Sequence, residues 1–272
     1  MSKREGIGLM ALLMALLWGC GPSNLDSTLQ SDEVYAGVCS SGESADYTKP
    51  GPYGSKKSGS LFLPEKLGEG GCKHPIIGFA PGIFMSIGSY SYIVRHLNSW
   101  GFAVAVDSNN LLNISASGAI RSVKRAKSGR HGAHLSDLVG LAGHSMGGAA
   151  IINASGNSMV KAIAAFQPGP IRLRSVNKPG LWIGGTSDMF GALTDPKSSY
   201  SRGKGPKFLA VLKGGGHVLN SSAKKNAYKA SMVAWFRCQL VKDETACQLF
   251  QGSMGGECKL NGNWSKCEGK GL

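Results

Sequence analysis

Acidic side chains are scarce in this sequence of 272 residues, which has 16 Asp and Glu against 30 Lys and Arg and a formal net charge of +14. Charged residues make up 17% of the chain and apolar residues 42%, a balance that excludes a disordered chain and fits a globular one. Apolar runs of the ~20 residues that a transmembrane helix needs are also missing. The length suits a single sizeable domain.

Basic residues are clustered, five of them between Arg121 and Arg130 and a further group at Lys224, Lys225 and Lys229. Aromatic residues are not interleaved with these cations, and no nucleic-acid-binding motif is present. We therefore expect no nucleic-acid partner. A solvated helix face is the first interpretation of each cluster, and attraction to anionic envelope surfaces is the alternative.

The N-terminus carries the pattern of an export signal. Lys3 and Arg4 precede a short apolar run, and residues 1–19 are predicted to be a lipoprotein-type signal peptide. The run ends in Leu17-Trp18-Gly19-Cys20, which resembles the lipobox of bacterial lipoproteins, so Cys20 is the expected lipidation site. Residues 20–37 would form a flexible tether. The expected location is the bacterial cell envelope, with the lipid anchor as the only membrane contact, or secretion without an anchor.

Once Cys20 is assigned to the anchor, an even number of cysteines remains, which in an exported chain predicts up to three disulfides among 15 possible pairings. No CxxC spacing is present, so no metal is expected. Cys39 and Cys72 are one candidate pair, and the other four cysteines crowd the last 35 residues, which are predicted to be rich in loops and to need crosslinks. The disulfide candidates are Cys39, Cys72, Cys238, Cys247, Cys258 and Cys267.

Short apolar runs alternate with helical patterns from residue 60 onward. Strands are predicted at residues 60–63, 75–80, 102–106, 138–142, 162–166, 181–184 and 207–212. Most runs are unbroken, as in strands buried on both faces. Helices are predicted at residues 90–100, 116–127, 146–153 and 224–240. This order predicts an α/β protein whose mostly parallel sheet is flanked by helices, in one domain over residues 38–272 with a core at about 60–240 and a cysteine-rich tail at 241–272.

The segment Gly143-His144-Ser145-Met146-Gly147 matches the GxSxG pattern of a nucleophile elbow. Such a short motif is weak evidence in a glycine-rich chain, so its setting decides. Here a predicted strand leads in and a predicted helix leads out. An elbow needs small residues on both sides of the serine, and the helix directs free N–H groups at developing negative charge. We therefore predict Ser145 as a nucleophile.

A nucleophilic serine needs a histidine base and a carboxylate that orients the histidine. His217 is the only histidine beyond Ser145, and it follows a predicted strand through a glycine loop. Asp188 follows another strand and is the preferred acid, whereas Asp195 reads as a turn or capping residue. A structural role is expected for Asp107. Surface or packing roles are expected for the earlier histidines, His74, His96, His131, His134 and His144.

Two backbone N–H groups are needed for an oxyanion hole. The N–H of Met146, directly after the nucleophile, is the first predicted donor. The second should come from the loop after the strand at residues 75–80, where Ile83 is preferred and Phe84 is close behind.

The chain resembles the bacterial cutinase and polyester-hydrolase family, with related lipases and chlorophyllases of the dienelactone-hydrolase-like group. The resemblance runs from about residue 60 to 247 and rests on Pro81-Gly82, Trp100-Gly101-Phe102, Asp107-Ser108-Asn109, Gly143 to Gly148, Thr186-Ser187-Asp188 and Gly215-Gly216-His217. It implies an α/β-hydrolase fold without a cofactor. It also implies catalysis through Ser145, Asp188 and His217, with oxyanion donors at Ile83 and Met146. A disulfide from Cys247 to a later cysteine is implied as well.

Two departures from the family narrow the expected substrate. Ile83 stands where the family has Tyr or Phe, with Phe84 as a possible substitute, and no Trp follows the strand that ends at Phe166. The expectation is a monomeric serine carboxylic-ester hydrolase for short to medium aliphatic acyl esters rather than aromatic polyesters. Two alternatives stay open: a thioesterase or peptidase using the same three residues, and a catalytically inactive, lipid-anchored binding protein.

Overall fold

The computed structural model describes residues 37–39, 46–106, 117–169, 174–190, 196–218, 220–251 and 258–272. The expected signal peptide, Cys20 and most of the tether lie outside the described residues, as do Asp107 and Asp195. The chain from Gly37 to Leu272 clusters as one unit. Among the described residues, no helix combines the length and the apolar character needed to cross a bilayer.

The described residues form an α/β structure around a nine-stranded sheet, whose order is β1-β2-β4-β3-β5-β6-β7-β8-β9. The six strands from β4 to β8 in this order are parallel, whereas β1, β2 and β9 are antiparallel to their neighbours. The strands are β1 Lys56–Ser58, β2 Leu61–Leu63, β3 His74–Ala80, β4 Ala103–Val106, β5 Leu135–His144, β6 Val160–Phe166, β7 Gly180–Gly185, β8 Lys207–Leu212 and β9 Trp264–Lys270. The predicted, mostly parallel sheet is confirmed, with all seven predicted strands.

Helices cover both faces of the sheet. They are α1 Ser91–Ser99, α2 Ser117–Ser128, α3 Met146–Ala154, α4 Pro196–Ser201, α5 Ser222–Val241 and α6 Glu244–Gln248. Leu141 on β5 packs in a cluster with side chains of α2, α3 and α4. A Cβ on the preceding Gly140 would lie 2.6 Å from the ring of Phe236 on α5. Since successive strand residues face opposite sides, α5 lies on the other face from α2, α3 and α4.

Three disulfides are present, and the predicted pair Cys39–Cys72 is confirmed. The implied pairing of Cys247 with a later cysteine is wrong, because Cys247 pairs with the earlier Cys238. Lys242 ends α5 in the left-handed conformation, and the Asp243 side chain caps α6, so the chain turns back and brings the two Cα atoms to 4.7 Å. The third disulfide is Cys258–Cys267.

The expectation of a loop-rich tail is wrong in part. The tail contains α6 and also β9, which pairs antiparallel with β8 along its full length. Apolar residues on β9 are few because it is an edge strand with mostly exposed or half-buried side chains. Strand β1 at the opposite edge was not predicted either, so the sheet has two strands more than the apolar runs indicate.

Candidate active site

Ser145 lies at the turn between β5, which ends at His144, and α3, which begins at Met146. Its backbone has φ 53° and ψ −124°, a strained conformation for a residue with a side chain. A Cβ on Gly143 would lie 2.5 Å from the Gly147 carbonyl oxygen. A Cβ on Gly147 would overlap carbonyl oxygens of the β3 loop. Both glycines are thus required by the close approach of backbone segments at this turn.

His217 lies in the loop after β8, and its Nε2 is 3.0 Å from Ser145 Oγ. This loop is tied to the loop after the neighbouring strand β7: Gly214 N–H donates to Thr186 Oγ1 over 2.8 Å, and Ser187 N–H donates to the Gly215 carbonyl over 2.9 Å. The parallel pairing of β7 with β8 brings both loops to the same edge of the sheet. His217 and Ser145, 72 positions apart, meet at this edge.

Asp188 follows β7 and accepts a hydrogen bond from the other ring nitrogen of His217. Its Oδ2 is 3.1 Å from His217 Nδ1, and its side chain is 3% exposed. The Phe190 N–H donates to Oδ1 over 2.9 Å and fixes the carboxylate plane. A carboxylate only accepts, so Nδ1 carries the proton and Nε2 turns its lone pair toward the Ser145 hydroxyl. The structure therefore brings together the three predicted side chains in the order hydroxyl, imidazole, carboxylate.

The two predicted oxyanion donors, Met146 and Ile83, belong to two segments that meet at Ser145. Met146 is the first residue of α3, so its N–H has no acceptor within the helix. In the other segment, Gly82 approaches so closely that a Cβ there would lie 3.3 Å from Ser145 Cβ. The Gly82 N–H is already used, since it donates to Tyr90 Oη over 2.9 Å. The next N–H, that of Ile83, stays the predicted second donor.

His144 has the packing role that was one of its two expected roles, but its hydrogen bonds were not predicted. The residue is 3% exposed, and both ring nitrogens make hydrogen bonds: Nδ1 lies 2.7 Å from Tyr90 Oη and Nε2 lies 2.9 Å from the carbonyl oxygen of His217. Burial lowers the pKa of His144 to about 3, so the ring is neutral at working pH. The sequence shows that His144 lies inside the GxSxG segment. It does not show that Tyr90 and His217 are its hydrogen-bond partners.

Gln167 was missed as a site residue. It follows β6 with φ 44°, is 1% exposed, and its Nε2 donates to the Gly216 carbonyl next to His217. Its Oε1 is buried without a hydrogen-bond partner among the described residues. The amide therefore holds the loop that carries His217, just after the strand where the resembled family has a Trp.

Four exposed apolar side chains, which form an apolar rim, belong to the loops that carry Ile83, Asp188 and His217. Phe84, Met189, Phe190 and Val218 are exposed by 72%, 83%, 45% and 59%, and each stands within two positions of Ile83, Asp188 or His217. The Phe190 ring packs edge-on against the His217 ring with centroids 4.8 Å apart. Exposed apolar side chains gathered in one place indicate a binding surface rather than chance exposure. Sequence reasoning anticipated only Phe84.

One trio of metal-ligand side chains, Cys39, Cys72 and His74, comes close together in the described part of the chain. The two sulfurs are bonded to each other and offer no thiolate. Both nitrogens of His74 are also engaged, Nδ1 with the Gly101 carbonyl at 2.8 Å and Nε2 with the Gly68 N–H at 3.2 Å. This trio is a packed structural cluster.

Comparison of the chain with protein-family models and with curated proteins finds no match.

Proposed function

We propose that the chain is a serine carboxylic-ester hydrolase of the α/β-hydrolase fold, with Ser145 as nucleophile, His217 as general base and Asp188 as its orienting acid. The observation that carries the proposal is the unbroken succession from Ser145 Oγ to His217 Nε2 at 3.0 Å and from His217 Nδ1 to Asp188 Oδ2 at 3.1 Å. Two features support the fold assignment: the chain order Ser, Asp, His and an oxyanion loop directly after β3.

The first half-reaction forms an acyl-enzyme. His217 Nε2 takes the hydroxyl proton as Ser145 Oγ attacks the ester carbonyl carbon, and the carbonyl π electrons move onto oxygen. The N–H groups of Met146 and Ile83 would stabilise this oxyanion. Collapse of the tetrahedral intermediate breaks the bond to the alcohol oxygen, which leaves with the proton from His217.

The second half-reaction regenerates the enzyme. A water molecule gives its proton to His217 Nε2 and attacks the acyl carbon, again through an oxyanion at the same donors. The intermediate then expels Ser145 Oγ, which recovers the proton from His217. Asp188 keeps its hydrogen bond to Nδ1 and stabilises the imidazolium in both halves. Every proton and electron pair is accounted for by these side chains and water, so the mechanism requires no cofactor.

The apolar rim supports esters with short to medium aliphatic acyl groups as substrates. A cavity of about 20 Å³ lies beside His217, lined by residues that include Met85 and Val218. Because this volume holds roughly one water molecule, an acyl chain does not fit inside it. The acyl chain of the substrate would instead lie along the open rim formed by Phe84, Met189, Phe190 and Val218. There the binding energy comes from the apolar area in contact and not from enclosure.

The test uses purified protein lacking residues 1–20 and p-nitrophenyl butyrate as substrate. We expect turnover, covalent labelling of Ser145 by a fluorophosphonate probe, and loss of both in Ser145→Ala. Ser155→Ala is the matched control, because Ser155 is a buried serine whose hydroxyl bonds the Ile152 carbonyl at 2.7 Å, away from His217. It should keep full activity.

Other outcomes of the same experiment separate the alternatives. Faster turnover of thioesters or amides than of matched oxygen esters would favour a thioesterase or peptidase. Absence of both turnover and labelling in folded protein would refute the hydrolase proposal and leave the binding protein. A panel of esters from acetate to long-chain and polymeric substrates then measures acyl preference.

Export is proposed together with the enzyme activity. The three disulfides are consistent with an exported protein, because such bonds persist in oxidising compartments. Lipidation of Cys20 would be detected by metabolic labelling of the expressed full chain with a fatty acid. We expect label in the wild type and none in Cys20→Ala, and a labelled variant would refute this anchor site.

A further inference from the structure

Tyr90 and His144 form a hydrogen-bonded bridge across the candidate active site. At one end the Gly82 N–H donates to Tyr90 Oη over 2.9 Å. In the middle Tyr90 Oη lies 2.7 Å from His144 Nδ1, and at the other end His144 Nε2 lies 2.9 Å from the His217 carbonyl oxygen. The bridge therefore joins the loop after β3 to the loop after β8, which carry the predicted oxyanion donor and the base.

Only one arrangement of protons satisfies this bridge. The His217 carbonyl accepts only, so His144 Nε2 must carry the hydrogen, and in a neutral ring Nδ1 is then an acceptor. Tyr90 must therefore donate its hydroxyl proton to Nδ1, which leaves an oxygen lone pair for the Gly82 N–H. Burial lowers the pKa of His144 to about 3 and raises that of Tyr90 to about 12. The required neutral forms thus persist across the pH range in which a serine esterase works.

The bridge is also rigid. Tyr90 and His144 are 3% exposed each, and the His144 ring stacks on Phe166 with centroids 5.0 Å apart. The His144 ring also packs against the His217 ring at 4.7 Å. At Gly82 an added Cβ would lie 2.9 Å from His144 Nδ1 and 3.0 Å from Tyr90 Oη. The β3 loop backbone thus rests directly on the bridge, with no room for movement toward it.

We infer that Tyr90 and His144 are positioning residues, which hold the oxyanion loop and the base loop at a fixed distance from each other around Ser145. The inference rests on the proposed ester hydrolysis. The polar atoms of both residues are taken up by the bridge, so neither residue exchanges a proton with the ester or with Ser145. Their contribution is to aim the Ile83 N–H, next to Gly82, and the His217 ring at the same substrate carbonyl. Without the bridge, each loop would keep its own fold but lose its register with the other.

The test compares Tyr90→Phe and His144→Phe with two matched controls. Tyr47→Phe removes a buried tyrosine hydroxyl that donates to Asp243 at 3.0 Å, and His96→Phe removes a buried histidine whose Nε2 lies 2.6 Å from the Tyr47 carbonyl. All four variants lose a buried hydrogen bond, but only the first two lose it within the bridge. Steady-state kinetics with p-nitrophenyl butyrate are normalised to the concentration of sites titrated with a fluorophosphonate.

We expect kcat to fall by roughly 10–100-fold in both bridge variants, since small misplacements of catalytic groups have effects of this size. The KM should change little, because the apolar rim is untouched. The rate constant of fluorophosphonate labelling should fall with kcat. The double variant Tyr90→Phe/His144→Phe should be about as slow as the slower single variant, because either change breaks the same bridge. His144→Gln, which retains an amide N–H donor, should recover part of the rate.

The controls should lose thermal stability but keep the wild-type kcat per titrated site. Full kcat in folded Tyr90→Phe and His144→Phe would overturn the inference, and so would equal losses in the bridge variants and their controls. If Tyr90→Phe does not fold, the comparison of His144→Gln with His144→Phe decides by the same criterion. Absence of turnover by the wild type would instead refute the proposed function. The two failures are therefore distinct.

Discussion

Replacement of Ser145 by glycine should relieve backbone strain at the cost of the proposed nucleophile. Ser145 has φ 53° and ψ −124°, where a Cβ is unfavourable and glycine is not. Its side chain makes no capping hydrogen bond to α3. The informative comparison is Ser145→Ala with Ser145→Gly, because both variants lose the hydroxyl and its contact with His217, whereas only the glycine variant loses the Cβ.

The size of the effect follows from three contributions. Relief of a strained backbone conformation stabilises by about 1–3 kcal/mol. Loss of the Cβ, which is buried because Ser145 is 9% exposed, destabilises by about 0.8 kcal/mol. Glycine also increases the entropy of the unfolded chain by an amount common to any Ala-to-Gly change. A reference site with ordinary backbone angles removes this third contribution.

Ser86 is that reference site. It precedes a 3-10 turn with φ −78° and ψ 155°, is exposed and makes no capping hydrogen bond. Urea unfolding of the four variants should show that the change from Ala to Gly is more favourable at position 145 than at position 86 by about 1 kcal/mol, taking mid-range strain. With a slope near 3 kcal/mol per molar urea, this is a midpoint difference of about 0.3 M. An Ala-to-Gly change that is equally favourable at both positions, or less favourable at position 145, would refute backbone strain at Ser145.

Three further predictions concern the acid, the buried histidine and the first disulfide. Asp188→Asn should lower kcat for p-nitrophenyl butyrate by about 10⁴-fold, since an amide favours the wrong imidazole tautomer, and retention of a tenth of the activity would exclude Asp188 as the acid. The unfolded chain protonates His144 near pH 6.5 and the folded chain only near 3, so its contribution to the free energy of unfolding is complete above pH 6.5. As the pH is lowered below 6.5, that contribution should fall by up to about 1.4 kcal/mol per pH unit. The free energy of unfolding, measured at pH 4–7, should therefore depend less steeply on pH in His144→Gln than in the wild type. Replacement of Cys39 and Cys72 by alanine, which opens a loop with a sequence separation of 33, should lower the free energy of unfolding by about 4 kcal/mol in urea titrations, and a loss below about 1 kcal/mol would contradict an entropic role.

The central strands and the elbow could be predicted because their signals are local. Strands such as β3 and β8 are buried at every position, and their apolar runs are visible without knowledge of the neighbours. The turn at Ser145 requires Gly143 and Gly147 within five consecutive residues. The order of chemical groups along the chain then points to Asp188 and His217, and the structure brings both into contact with Ser145 or with each other.

Features that depend on tertiary partners could not be predicted. Strand β9 has no apolar run because most of its side chains are exposed or half-buried at the edge of the sheet. It pairs with β8, which is distant in sequence. Cys247 pairs with Cys238 because Lys242 reverses the chain, and no rule of cysteine spacing encodes that turn. The roles of Tyr90 and His144 depend on a contact across 54 positions. In sequence, Tyr90 reads as one more apolar residue of a helix face.

Backbone strain points to the same edge of the sheet without reference to motif or resemblance. Four described residues other than glycine have positive φ: Phe84, Ser145, Gln167 and Lys242. Lys242 ends a helix, where the left-handed conformation is common. The other three come after β3, β5 and β6, which are neighbours in the sheet and parallel, so they lie in turns at the same edge of the sheet.

Strained residues at about 1–3 kcal/mol each are a large fraction of the 5–15 kcal/mol that stabilises a typical domain. The Oε1 of Gln167, which has no hydrogen-bond partner in the described part of the chain, adds a further cost at the same edge. Packing alone does not account for three such residues together, because glycine or an ordinary turn would allow the same packing with less backbone strain at each position. The proposed reaction accounts for them, because strain is retained where side chains and N–H donors must be held in fixed positions. The distribution of strain therefore supports a reaction centre at this edge, independently of the contacts between Ser145, His217 and Asp188.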